Sequence, residues 1–162
     1  ALDYLSAPAE TWFFAGGQPG AGKTHLCTAI TAELIKHGKE ARYCLWRDTS
    51  LRLRGQITDS EKYSDEMERL KRIEVLYLDD FLKAQHGSKP TPAEITLAFE
   101  LINARYNARL TTIISSEFTS GELIRLDEAL ASRIIELCGS HCINISRDST
   151  RNYRLSGMSA SI

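Results

Sequence analysis

The stretch Gly17-Gln18-Pro19-Gly20-Ala21-Gly22-Lys23-Thr24 constrains this chain more than any other, because it fits the phosphate-binding pattern G-x-x-x-x-G-K-[ST]. A loop that wraps a polyphosphate must turn its backbone N–H groups inward, and glycine permits both the backbone angles and the close approach. In such a loop Lys23 places a point charge on the β- and γ-phosphates, and the Thr24 hydroxyl sits on a bound Mg²⁺. His25 then opens a helix whose N-terminal dipole faces the anion. The flanks agree. Thr11-Trp12-Phe13-Phe14-Ala15 reads as a short buried strand, and Leu26, Ala29, Ile30, Ala32 and Leu34 recur at helical spacing. A glycine-rich turn that binds nothing is the alternative, and it requires neither flank.

Val75-Leu76-Tyr77-Leu78-Asp79-Asp80 is the second landmark: four apolar residues make a buried strand with two carboxylates at its C-terminal end. In open α/β sheets that edge binds ligands. One carboxylate can hold the Mg²⁺ shell through water, and the other can orient or deprotonate an attacking water. An acidic turn after a strand is common by itself; the upstream phosphate loop gives this one its meaning.

With 162 residues, 43% hydrophobic and 25% charged, the chain is sized for one domain with a full core. A formal net charge of -1 supplies no bulk attraction for nucleic acid, so any DNA contact needs a local basic patch. No apolar run approaches the roughly 20 residues that span a bilayer, and no leader is evident, so the expected compartment is the cytoplasm, away from membranes. Four cysteines are expected as free thiols there, with Cys27 and Cys44 as core residues. Cys138, His141 and Cys142 cluster, but without a second pair at zinc spacing they read as ordinary packing.

Along the chain, residues 1–10 read as a lead-in, 11–155 as the core and 156–162 as a flexible tail. The first helix should end near Gly38, and a second strand runs from Glu40 to Trp46. Asp48 or Thr49 is expected to cap a short helix, followed by a charged surface helix from Ser60 to Arg72 with Met67, Leu70 and Ile73 on one face. Residues 82–92 read as a mobile loop containing Lys83, His86, Gly87 and Lys89. Pro92 and Glu94 suit a helix start, with Ile95, Phe99, Ile102 and Tyr106 as its apolar stripe. Strands follow at 110–115 and 142–145, with helical pieces capped by Ser120 or Asp127 and a helix from Ala129 to Leu137. Strands alternating with helices define an α/β fold with a mainly parallel sheet.

These residues together resemble the AAA+ ATPase core of bacterial and phage replicative helicase loaders of the DnaC/DnaI type. The resemblance rests on Gly17 to Leu26, Val75 to Asp80, Thr111 to Glu117, Ala131-Ser132-Arg133-Ile134-Ile135-Glu136 and Asn152-Tyr153-Arg154-Leu155. It implies a P-loop NTPase with a RecA-like core and a five-stranded sheet in the order 5-1-4-3-2, flanked by helices. It also implies ATP/ADP and Mg²⁺ as ligands. The whole loop from Gly17 to His25 would bind nucleotide, Thr24 and Asp79 would serve the metal, and Asp80 would serve the attacking water. The sensor position, usually asparagine, falls at Glu117, with Ser116 as the alternative. Arg133 matches the finger that reaches the ATP of a neighbouring subunit, which implies ATP-dependent self-association. Single-stranded DNA and the replicative helicase are the implied partners, with Arg47, Arg52, Arg54, Lys83 and Lys89 as candidate DNA contacts; solvated surface charge is the plainer reading of each. Nothing before Thr11 is long enough for the helicase-gripping N-terminal domain of such loaders, so an isolated core without a full lid domain is expected.

Three rival readings remain. Helper ATPases of DNA transposition share the same core. A nucleotide-switched DNA-binding module with negligible hydrolysis would keep the loop. A small-molecule P-loop kinase would add an acceptor pocket and an arginine-rich lid, and neither is evident in the sequence.

Overall fold

Apolar residues that alternate along short strands can face two different helical layers, and this sequence uses that property throughout. The computed structural model of the chain describes residues 2–8, 10–83 and 88–146. In chain order the elements are α1 (Leu2–Leu5), β1 (Phe13–Gly17), α2 (Lys23–Lys36), β2 (Ala41–Leu45), α3 (Trp46–Gly55), α4 (Ser60–Arg72) and β3 (Val75–Asp79). Then come α5 (Pro92–Ala108), β4 (Thr112–Ser116), α6 (Ser120–Leu126), α7 (Glu128–Cys138), a 3-10 turn at Gly139–His141 and β5 (Cys142–Ile145).

The strands form one sheet in the order β2-β3-β4-β1-β5, which is 5-1-4-3-2 read from the opposite edge. Every pairing is parallel, with Cys44 opposite Leu78, Tyr77 opposite Ile113, Phe14 opposite Ile114, and Ala15 opposite Ile143. Parallel strands must each return through a crossover, so all five carboxyl ends reach the same edge.

Phe13, Ala15, Val75, Tyr77 and Ile113 face one side and pack with Cys27 and Ile30 of α2 and Tyr4 of α1. Phe14, Leu76, Leu78 and Ile114 face the other side, where α3, α4, α5, α6 and α7 contribute a larger core that includes Trp46, Leu53, Met67, Leu101 and Ile134. The lead-in is therefore docked: the Tyr4 hydroxyl donates to Thr11 O at 2.8 Å and its ring meets Phe13 edge-on. Cys138 is buried on α7, and His141 packs edge-to-face on Tyr4. Among the described residues no helix is long and apolar enough to cross a membrane.

Several boundaries differ from the sequence reading. The first strand lies two residues later than expected, because Trp12 spends its backbone N–H on Leu137 O and its indole on Leu110 O. Helix α3 starts at Trp46 with no side-chain cap, so Asp48 sits in its first turn instead of ahead of it. Thr119, not Ser120, caps α6, through a reciprocal capping box with Glu122, and Asp127 caps α7 as expected. On α5 the buried face is Leu97, Ala98, Leu101, Ile102 and Arg105; of the expected stripe Ile102 is buried, and Ile95, Phe99 and Tyr106 lie along the margin. The reason is Arg105, a charged residue that points inward. The expected match at 152–155, the tail 156–162 and residues 84–87 of the expected loop lie outside the described residues.

Candidate functional site

The phosphate loop links β1 to α2, and its shape follows from two glycines. Gly17 has φ 108°, and a Cβ there would lie 2.1 Å from Ile145 O, so only glycine fits against β5. Gly22 has φ 82°, precedes α2 without any side-chain cap, and has open space where a Cβ would be. The first turn of α2 thus presents backbone N–H groups with no side chain of its own laid across them. The Lys23 ammonium is buried beneath the loop and donates to Gly17 O at 2.9 Å and Gln18 O at 2.6 Å. Pro19, Gly20, Gly22, Lys23, Thr24 and His25 line one side of a cavity of about 400 Å³.

Below that cavity Asp79 ends β3, nearly fully buried. It accepts from the Thr24 hydroxyl at 3.1 Å, the Tyr77 hydroxyl at 2.9 Å, the Tyr43 hydroxyl at 3.0 Å and the Ser115 hydroxyl. Burial alone would raise the carboxyl pKa, but hydroxyl donors from Ser115, Tyr77, Tyr43 and Thr24 outweigh it and hold the pKa below the ordinary carboxylate value. The result is a carboxylate fixed as an anion beside Thr24. Burial, together with Asp79, pushes the Tyr43 phenol up to about 12, so it stays a donor. The two expected metal-side residues therefore meet, and an oxygen-only pair of this kind suits a hard cation such as Mg²⁺.

The opposite wall is built by a strained turn. Asp80 and Leu82 both adopt left-handed backbone angles, φ 51° and 59°. Non-glycine residues hold such angles at a cost of about 1–3 kcal/mol, and only where their surroundings impose it. Here Phe81 and Leu82 are fully buried, Phe81 N–H donates to Ser115 O at 2.8 Å, and the Ser116 hydroxyl donates to Phe81 O at 2.8 Å. The turn aims Asp80 and Lys83 into the cavity, where Glu117 joins them from the end of β4. Lys83 Nζ lies 3.0 Å from Asp80 Oδ2 and 2.8 Å from Glu117 Oε1. Burial works against its charge, but Glu117 and Asp80 outweigh that and raise its pKa above the ordinary lysine value.

The structure thus gathers the loop, Thr24, Asp79, Asp80 and Glu117, and separates Ser116 from them. The Ser116 hydroxyl is buried and committed to Phe81 O and Phe118 N, so it braces the turn and does not line the cavity. Arg133 lies away from its own phosphate loop, on a ledge between α7 and α5. Its Nε donates to Asn103 Oδ1 at 2.9 Å, and its guanidinium sits 5.0 Å over the Phe99 ring and 5.6 Å over Tyr106. Glu136 accepts from the Tyr106 hydroxyl and not from Arg133. Of the candidate DNA contacts, Arg52 is tied to Glu66 outside the groove that Arg47, Arg54, Lys83 and Lys89 line together with Leu51 and Glu94, and within that groove Arg54 pairs with Glu94 at 3.2 Å. Lys83 lines both this groove and the nucleotide cavity.

The sequence reading gave no role to Tyr43, Tyr77 or Ser115. A period-two count along β3 places Tyr77 on the Asp79 side, and parallel register then places Tyr43 beside Tyr77. The Lys83 bridge had no comparable signal, because it depends on two left-handed residues that are not glycine.

A model of the IstB-like ATP binding protein family matches residues 7–158. The protein YqaM of Bacillus subtilis (strain 168) is 33% identical over 141 residues, 86% of this chain and 44% of its own length. An insertion sequence ATP-binding protein of Sinorhizobium fredii is 31% identical over 118 residues, 68% of this chain and 38% of its own length. The chain therefore spans less than half of each of these relatives. Among solved structures, the DnaC helicase loader superposes with a TM-score of 0.66 at 22% identity, covering 91% of this chain and 85% of that one. The replication initiator DnaA bound to AMPPCP and single-stranded DNA superposes with a TM-score of 0.68 at 21% identity, covering 91% of this chain and 44% of that one. The fold is that of the AAA+ P-loop NTPases.

Proposed function

The chain belongs to the IstB-like ATP-binding protein family, and from that premise we propose that it binds and hydrolyses Mg-ATP as the motor core of a replicative helicase loader. The observation that carries this reading is convergence at the carboxyl edge of the sheet. The phosphate loop, Thr24 and Asp80 line one cavity, and Asp79 is bonded to Thr24 at its floor, although they come from separate stretches of the chain. Backbone N–H groups of the loop and Lys23 would hold the β- and γ-phosphates. Mg²⁺ held from Thr24 and Asp79 would draw charge from the phosphate oxygens. Asp80 would orient water and take its proton as the water oxygen attacks the γ-phosphorus and ADP leaves with the bridging oxygen. Arg133 would serve a neighbouring subunit's ATP, leaving its aromatic ledge when copies associate.

Single-stranded DNA is the proposed polymer ligand, and the groove of Arg47, Arg54, Lys83 and Lys89 is its proposed track. The likeness to the DnaC loader and to DnaA with single-stranded DNA supports this reading. The insertion sequence relative favours a second reading, a helper ATPase that serves a transposase. Purified protein should turn over ATP faster with single-stranded DNA and transfer no phosphate to small acceptors. ATP-dependent capture of a replicative helicase supports the loader, and capture of a transposase in its place supports the helper. ATP binding with no turnover under any of these conditions would leave a nucleotide switch, and acceptor phosphorylation would indicate a kinase.

A further inference from the structure

We propose that Lys83, held by Glu117, is the residue that distinguishes ATP from ADP in this site by contacting the terminal phosphate from the wall opposite the loop. The inference rests on the Mg-ATP reading above and adds to it a residue outside the phosphate-binding pattern.

The argument begins with charge. The wall that faces Lys23 carries two carboxylates, Asp80 and Glu117, both partly exposed to the cavity. A polyphosphate is itself multiply negative, so two unpaired carboxylates on that wall would repel its free end. Neither can donate a hydrogen bond while ionised. Lys83 addresses both deficits, since one ammonium lies within 3.0 Å of each carboxylate and still has a third proton to donate.

Position comes next. Lys83 is the last residue of the strained turn, and its backbone N–H donates to Asp80 O at 3.0 Å. Buried Phe81 and Leu82 anchor that turn, and Ser115 and Ser116 pin it to β4. The ammonium is therefore delivered from a rigid base to the cavity wall, and a flexible surface lysine would not be held this way. Backbone strain of this kind collects at functional sites. A diphosphate lying in the loop is served by Lys23 and the first turn of α2, and only a third phosphate has to meet the opposite wall. Lys83 is thus a specificity-determining residue, and Glu117 is its positioning residue.

The test is affinity, measured by titration calorimetry with Mg²⁺, for AMPPCP and for ADP on the folded protein. Lys83→Met removes the proposed charge-assisted hydrogen bond to the terminal phosphate and leaves both Asp80 and Glu117 uncompensated. It should weaken AMPPCP by about tenfold or more while changing ADP by about twofold or less. Lys83→Met combined with Glu117→Gln removes one of the two stranded charges and restores an amide donor, so part of the lost AMPPCP affinity should return. Equal loss for AMPPCP and ADP, or no recovery in the double variant, overturns the assignment and makes the bridge a structural ion pair. If the parent binds ADP and AMPPCP but Lys83→Met shows no selective loss of AMPPCP, the Lys83 assignment falls and the nucleotide reading stands. If the parent binds neither, both fall.

Discussion

Replacing Arg105 with methionine probes the frame that holds the site. Arg105 is fully buried on α5, and its guanidinium meets carbonyls and a hydroxyl. Its Nη1 donates to Leu70 O at 2.9 Å and Ile73 O at 2.8 Å, its Nε donates to Thr112 Oγ1 at 2.9 Å, and its Nη2 donates to Thr111 O. One side chain therefore ties the end of α4 and the lead into β3 to the start of β4. Those strands carry Asp79 and Glu117 at or just beyond their other ends. Burial pushes the guanidinium pKa down to about 10, so it stays charged at neutral pH, and its burial opposes folding. Arg105→Met keeps much of the volume, removes that opposition, and leaves Leu70 O, Ile73 O and Thr112 Oγ1 without their donor, while Thr111 O keeps the Leu76 N–H. Taking about 1.5 kcal/mol for each orphaned acceptor, and setting against it roughly 3 kcal/mol of relieved charge burial, leaves a net loss of about 1.5 kcal/mol. For a domain of this size that lowers the midpoint of thermal unfolding by about 3–6 °C. Urea unfolding followed by far-ultraviolet circular dichroism measures the difference at an unchanged m-value. A methionine variant as stable as the parent would refute the reasoning, because desolvation would then dominate the hydrogen bonds.

Further outcomes concern the chemistry. Asp80→Asn keeps the shape of the turn but loses the charge that takes a proton, so turnover should fall by about 10²-fold or more while ATP still binds; unchanged turnover would place the base elsewhere, with Glu117 next to test. Arg47→Ala with Lys89→Ala should weaken single-stranded DNA about equally across sequences and flatten the salt dependence, whereas Arg52→Ala, already engaged by Glu66, should do so less; equal effects would remove the groove from the account. Arg133→Ala and Lys23→Ala should each be nearly inactive, yet mixing them should restore some ATPase activity, because an intact pocket then meets an intact finger; no rescue at concentrations where the parent's specific activity rises would confine Arg133 to its own subunit.

The loop and the β3 end were legible in the sequence because both are contiguous, and their residue types have few other uses together. The sheet order came from the family resemblance, and the pairing bears it out. What the sequence hid depends on contacts between distant stretches. Tyr43, Tyr77 and Ser115 look like strand filler until register brings their hydroxyls onto Asp79. Arg105 looks like a surface residue of α5 until the carbonyls at the end of α4 surround it. Lys83 reads as loop charge, because no spacing rule foretells that Asp80 and Leu82 take left-handed angles and turn it into the cavity. Ser116 lies off the cavity for a related reason: its neighbour Ser115 faces Asp79, and strand alternation turns Ser116 away, towards Phe81 O.

The central claim, that this cavity holds Mg-ATP through the phosphate loop, is tested most directly by thermal unfolding of the parent and of Lys23→Ala with and without saturating Mg-ATP. At 100 times the dissociation constant a specific ligand adds about 2.7 kcal/mol of stability, which for this size raises the midpoint by about 5–11 °C. The account predicts that rise in the parent and little or none in Lys23→Ala, each measured against its own midpoint without nucleotide. Equal stabilisation of both proteins by Mg-ATP, or no stabilisation of the parent, would contradict it.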